Sequence, residues 1–203
     1  MEATKTTITR TAVILVLIGI GLSSRLLEHP VNFHAIGAIA LFSGYYFASR
    51  RYAWLVPMAA MLISNIIIGG YDFWQMAVVN VAIVLPAFFG QMLRREIKSE
   101  NRLVRTLLSA GRLVALSLAG TLAFFLVSNL AVFAFSGMYA HSVEGLVTCF
   151  VMALPFHQQD QSMFLLTHSM AGDLFYNGLL FGAHALAVLQ IRRQAIVTAD
   201  ANS

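Results

Sequence analysis

Six apolar runs, each long enough to cross a bilayer and most of them bounded by knots of charge, constrain this chain more than any other feature. They cover about 11–27, 33–49, 52–70, 74–93, 107–135 and 163–190. A membrane helix needs about 20 apolar residues, and about 17 are tolerated. The fifth and sixth runs exceed the hydrocarbon thickness, so they are expected to tilt, kink or extend into the interface. A seventh run, 142–154, is only about 13 residues long and stops at Pro155, as an interfacial or re-entrant helix in an outer loop would. Composition points the same way. Of the 203 residues, 59% are hydrophobic and 11% charged, whereas soluble domains are roughly a quarter charged. The expected fold class is an all-α membrane protein, a six-transmembrane-helix bundle with a short extra helix between helices 5 and 6. A single transmembrane domain covers 1–193, and 194–203 is read as a disordered cytoplasmic tail.

The charges test that count independently. Lys5 and Arg10 precede the first span, and Arg50 and Arg51 separate the second from the third. Arg94, Arg95, Lys98, Arg102 and Arg105 separate the fourth from the fifth, and Arg192 and Arg193 follow the sixth. These four places fall on one side only if six spans are crossed and both termini share the cytoplasm, the side that basic residues favour. Arg25 and Arg112 lie elsewhere, with Arg112 near enough to a helix end to snorkel. A rival reading makes the first span a cleaved signal peptide ending near Gly21-Leu-Ser23. The net charge of +4 is explained by these helix ends, which leaves nothing to suggest nucleic acid. The single cysteine, Cys149, excludes an intrachain disulfide.

With this topology the stretch Arg25-Leu-Leu-Glu-His-Pro-Val-Asn-Phe-His34, the turn at Asp72 and the loop 136–162 lie outside. They present Glu28, His29, Asp72, His141, Glu144, His157 and Asp160 among aromatic residues, the mixture from which ligand cavities are built. In the last span Ser169, Asp173, Tyr176, Asn177 and His184 follow at spacings of 4, 3, 1 and 7, which gathers them within about a third of the helical circumference. A carboxylate facing lipid costs about 3 kcal/mol or more, so Asp173 is expected to face the interior, with Arg25 as first candidate partner. The competing reading of this stripe, and of Asn129, is interhelical hydrogen bonding without a ligand. Gly19 with Ser23, and Ala40 with Gly44 and Ala48, form small-residue faces suited to close helix approach.

No nucleotide-binding loop, His-Glu-x-x-His pair or nucleophile elbow occurs in the sequence, so no enzyme is expected. The alternatives kept open are an intramembrane enzyme using Asp173 with His168 or His184, and a scaffold without transport activity. The histidines at 29, 34, 141 and 157 match no metal-ligand spacing, and no intrinsic cofactor is expected.

Arg25-Leu-Leu-x-His29-Pro30-x-Asn32-Phe33-x-x-Ile36-Gly37-Ala38-Ile39-Ala40-Leu41-Phe42 resembles the signature of a family of small bacterial membrane proteins. The resemblance extends through Pro57-Met-Ala-Ala-Met-Leu-Ile-Ser64, Gly69-Gly70, Ser128-Asn129, Ser136-Gly-Met-Tyr139, Ala153-Leu-Pro-Phe156 and Gly172-Asp-Leu-Phe-Tyr176. That family looks like the substrate-binding S-components of energy-coupling factor (ECF) vitamin transporters, nearest the solitary BtuM-type cobalamin transporters. The resemblance implies an S-component-like bundle in the bacterial inner membrane that binds a vitamin from outside. The ligand would be cobalamin or something similar, and an ECF T-subunit with ATPases is an implied partner. The site it implies draws on Arg25, His29, Asn32, His34, Asp72, Asn129, Tyr139, His157, Asp173, Tyr176 and Asn177. BtuM-type proteins hold cobalt through a cysteine. Here Cys149 stands outside any matching motif, so the resemblance leaves Cys149, or a histidine such as His29 or His157, as the cobalt ligand, or a substrate that is not a corrinoid.

Overall fold

The α-helices account for every regular element in a computed structural model of the protein, which describes residues 2–30, 32–70, 72–153 and 165–200. In chain order they are α1 (Glu2–Leu26), α2 (Ile36–Tyr46), α3 (Arg50–Ile68), α4 (Phe73–Ala82), α5 (Leu85–Met92), α6 (Arg102–Phe135), α7 (Val143–Ala153) and α8 (Leu165–Asp200). Five stretches are long and apolar enough to cross a membrane: Thr9–Leu26, Arg50–Ile68, Phe73–Met92, Arg102–Phe135 and His168–Ala199. The chain is a helical membrane bundle. Its outward side chains include Leu15, Ile66, Val81, Leu130 and Leu186. Acyl chains solvate such residues as well as a protein core does, so close packing and polar contacts must hold the helices together.

The second expected span, 33–49, takes a different form. Its helix has 11 residues, about 16 Å of rise against the ~30 Å of hydrocarbon. Asn32, at φ 62, sits in the left-handed region that an Asn tolerates, and Phe47 is already extended at ψ 121, so the chain enters and leaves α2 without helical continuity. Such irregular backbone is stable at membrane depth only inside protein. The helix is enclosed, with Ile36, Ala38 to Leu41, Phe42, Ser43 and Gly44 all buried, and of the backbone that joins it Ala35 and Phe47 are buried too. It packs against α3, α5, α6 and α8. The α2–α5 contact is backbone on backbone: a Cβ on Gly44 would overlap the Ala87 carbonyl, and one on Gly90 would overlap that of Leu41. Ala40 and Gly44 are therefore consumed internally. Gly19 has nothing within 4 Å of its would-be Cβ and faces outward.

The fourth span is broken between α4 and α5 at Ile83 and Val84. Pro86 accounts for the break, since it lacks the N–H that would bond residue 82 and its ring crowds the preceding turn. Its ring packs against Gly120 of α6, where a Cβ would come within 3.1 Å of it. α7 matches the short outer helix expected over 142–154. α8 continues through 194–200, where the sequence reading places a disordered tail. Ala195, Ile196, Val197 and Ala199 resume an apolar sequence there after Arg192 and Arg193, and all four are exposed.

Candidate functional site

The first turn of α2 explains much of the polar chemistry around residues 24–37. Its N-cap, Ala35, has no side chain that can accept a hydrogen bond, and unpaired amides at a helix start are costly in hydrocarbon. Two other helices satisfy them. Ser24 Oγ of α1 accepts from the Ala35 amide at 3.0 Å while donating to the Gly21 carbonyl at 3.0 Å. The carboxyl of Asp173 in α8 faces the backbone N–H of Ala38. The Asp173 carboxyl lies so close to Gly37 that a Cβ there would overlap both of its oxygens, so only glycine admits it. Its second contact is Thr121 of α6, Oγ1 to Oδ2 at 2.5 Å, and the same hydroxyl lies 3.0 Å from the Ser117 carbonyl. One hydroxyl proton serves one of these two acceptors. Asp173 thus joins α2, α6 and α8, and its negative end faces the positive end of the α2 dipole.

This arrangement corrects the expected Arg25–Asp173 pairing. Arg25 Nη1 turns to α3, donating to Ser64 Oγ at 2.6 Å, Asn65 Oδ1 at 2.7 Å and the Met61 carbonyl at 3.3 Å. These acceptors lie near the C-terminal end of α3, which closes at Gly69 with φ 112, and a cation is favoured at such an end. Each of the two charges is met by a helix terminus and not by the other.

A cavity of about 200 Å³ opens beside the Asp173 junction. Asn32, His34 and Gly37 form one wall, Thr121, Phe124, Phe125, Ser128 and Asn129 of α6 a second, and Ser169 and Asp173 of α8 a third. Ile83 and Pro86, at the α4–α5 break, and Ala153 complete the described lining. His34 Nδ1 is buried there without a hydrogen-bond partner among the described residues. Asn129 Nδ2 donates to the Phe125 carbonyl of its own helix at 2.8 Å.

Of the residues singled out from sequence, Asn32, His34, Asn129, Ser169 and Asp173 meet at this cavity. The others do not. His29 and Tyr176 line a separate outer groove with Ser23 and Glu28. Asp72 is the exposed N-cap of α4, accepting from the Gln75 amide at 2.9 Å. Asn177 is 2% exposed and donates to Ser117 Oγ at 2.9 Å. Tyr139 lies in the turn after α6, Arg25 at the end of α1 is bonded to α3, both are away from the lining, and His157 falls outside the described residues. Cys149 is buried, and its thiol donates to the Asn129 carbonyl at 3.5 Å. It does not line the cavity. Among the described residues no three His, Cys, Asp or Glu side chains converge as a metal site. His184 packs among the rings of Phe42, Tyr45 and Tyr46 with centroids 5.6–5.9 Å away. Eleven positions separate it from Asp173, about 16 Å along α8.

Sequence reasoning missed Thr121, Phe124 and Phe125. Their signal was available: Thr121, Phe125, Ser128 and Asn129 recur at i, i+4, i+7 and i+8, one face of α6.

Comparison with known proteins adds a family and little else. No curated protein matches the chain significantly, and no solved structure does. One family model, described as a family of unknown function (DUF6580), matches residues 5–196. Covering nearly the whole chain, that match establishes that the protein belongs to this family.

Proposed function

We propose that the protein is an integral-membrane substrate-binding carrier of the S-component kind, which takes a small vitamin-like molecule from the extracytoplasmic side. In this reading it lies in the bacterial inner membrane, crosses six times and keeps both termini cytoplasmic. The second crossing consists of α2 and the non-helical segments on either side of it. The observation that carries the proposal is the cavity: apolar walls, a few placed polar groups, and a helix break at Ile83–Pro86 in its lining. Discontinuous helices of this sort recur around the substrate sites of membrane carriers. An intramembrane enzyme that pairs Asp173 with His184 is less well supported, because the two are about 16 Å apart along α8.

Volume narrows the ligand. A 150 Å³ apolar cavity holds about one benzene, so 200 Å³ suits a single substituted ring and is small for a corrinoid. The carboxyl of Asp173 already occupies the α2 N-terminus, which favours a neutral or cationic ligand over an anionic one. Since the sequence has no ATPase motif, accumulation against a gradient would draw on a partner such as an ECF T-subunit with its ATPases, or on an ion gradient.

The test is equilibrium binding to the purified protein, with single-ring vitamins, their precursors and cobalamin as probes. A ligand at 100 times its Kd stabilises the fold by about 2.7 kcal/mol, which a melting curve resolves. Binding that disappears in Ser128→Trp, where the indole fills the cavity, is the expected result. Failure of every probe to bind would overturn the carrier reading.

A further inference from the structure

The opposite end of the bundle holds a second cleft, of about 400 Å³, unconnected with the cavity just described. Arg94 and Arg95 from the segment after α5, and Arg105 and Arg112 from α6, converge on it, with Ser109 between them and Glu96 as the one acidic side chain in its lining. Arg105 and Asn129, which line the two sites, are 24 positions apart on α6, about 36 Å of helix.

Two of the arginines build the cleft and two are left over. Arg94 bonds the carbonyl of Tyr45, Nε to O at 2.8 Å, and also the carbonyl of Phe47, so it fastens the segment to the end of α2. Arg112 Nη1 donates to the Arg95 carbonyl at 2.7 Å and fastens it to α6. Among the described residues, the guanidiniums of Arg95 and Arg105 have no hydrogen-bond or ion-pair partner, although the backbone carbonyls of both residues accept from Arg112 and Ser109, and none of the four arginines is paired with a carboxylate. A topology signal alone needs basic residues on the loop and does not need four guanidiniums around one hollow, an arrangement disfavoured by repulsion unless an anion answers it.

Depth identifies the level at which that anion would sit. α6 has 34 residues, about 51 Å of helix for ~30 Å of hydrocarbon. Its uninterrupted apolar stretch begins after Arg112. Arg112 therefore marks the edge of the acyl region, and the cleft stands at the height of the lipid phosphates. Guanidinium forks match phosphate oxygens in geometry as well as charge.

We infer that this four-arginine cleft is a binding site for a phosphate-ester anion, seated between the 93–97 segment and the first turns of α6. Its occupant is an anionic phospholipid headgroup or a soluble phosphate ester, and the experiment separates these sources. The full-length protein, in neutral detergent, is titrated with phosphatidylglycerol, phosphatidylcholine and glycerol phosphate, and binding is read by native mass spectrometry and melting temperature. The variant R95Q/R105Q removes the two arginines that make no fold contacts. K98Q/R102Q removes the same charge from the same region outside the cleft.

Wild-type protein should prefer phosphatidylglycerol or glycerol phosphate to phosphatidylcholine. R95Q/R105Q should bind about thirtyfold more weakly, given about 1 kcal/mol per arginine near a membrane surface, while K98Q/R102Q stays within a few-fold of wild type. Binding of glycerol phosphate as tight as that of the lipid assigns a soluble source, and binding of the lipid alone assigns the headgroup. Equal weakening in both double variants, or no preference over phosphatidylcholine together with no binding of glycerol phosphate, overturns the site.

Discussion

Asp173 shows how one carboxyl can be tolerated among six apolar runs. It accepts from Thr121 and faces the Ala38 amide, and its lodging depends on the missing side chain of Gly37. Asp173→Ala removes the acceptor for a buried amide and should cost about 1–3 kcal/mol, read from thermal melts in detergent. Asp173→Asn keeps an acceptor oxygen and should cost less. An intact melt in Asp173→Ala would mean that the carboxyl does not cap α2. Gly37→Ala forces a methyl into the carboxyl and should cost about 1–3 kcal/mol, the usual range for overpacking. The sequence marked Asp173 as inward-facing through the 3.6-residue periodicity of its stripe. It did not identify the partner. Arg25 and Asp173 look complementary as opposite charges in apolar segments, but pairing with a helix terminus leaves no trace in residue identity.

At the scale of elements, α2 is the piece that apolar length misreads. Residues 33–49 have the hydropathy of a span, yet Asn32 at φ 62 and the extended Phe47 confine the helix to 11 residues. Its burial rests on contacts with α5 that only glycine permits. Gly44→Ala and Gly90→Ala should each lower stability by about 1–3 kcal/mol, measured by melting, because each Cβ meets a backbone carbonyl. Gly19→Ala meets open space and should be neutral or stabilise by up to about 1 kcal/mol through helix propensity. A melt in which all three substitutions behave alike would contradict the close α2–α5 packing. The longer helices were legible because each is a long apolar run with a basic cluster at one end. The α4–α5 break was not drawn from the sequence, although Pro86 was there to suggest it. The cavity went unread for a related reason, because it is assembled from α2, α6, α8 and that break, and no single periodicity contains it.

On the scale of the molecule, polar chemistry is divided between two ends. Asn32, His34 and Asp173 gather at one, and the arginines of 94–112 at the other. With the native thiol replaced by Cys149→Ser, single cysteines at Glu28 and Asp72 should react with a membrane-impermeant maleimide applied to intact cells, and one at Glu96 should react only after permeabilisation. The reverse pattern would put the cavity on the cytoplasmic side and contradict uptake from outside.

The central claim is that the cavity between α2, α6 and α8 exists to hold a ligand. Native mass spectrometry of the protein purified gently from its own membrane tests it most directly. The account predicts a bound molecule no larger than a single substituted ring, present on the wild type and absent from Ser128→Trp at unchanged melting temperature. A bound molecule that persists in Ser128→Trp, or one the size of a corrinoid, would contradict it.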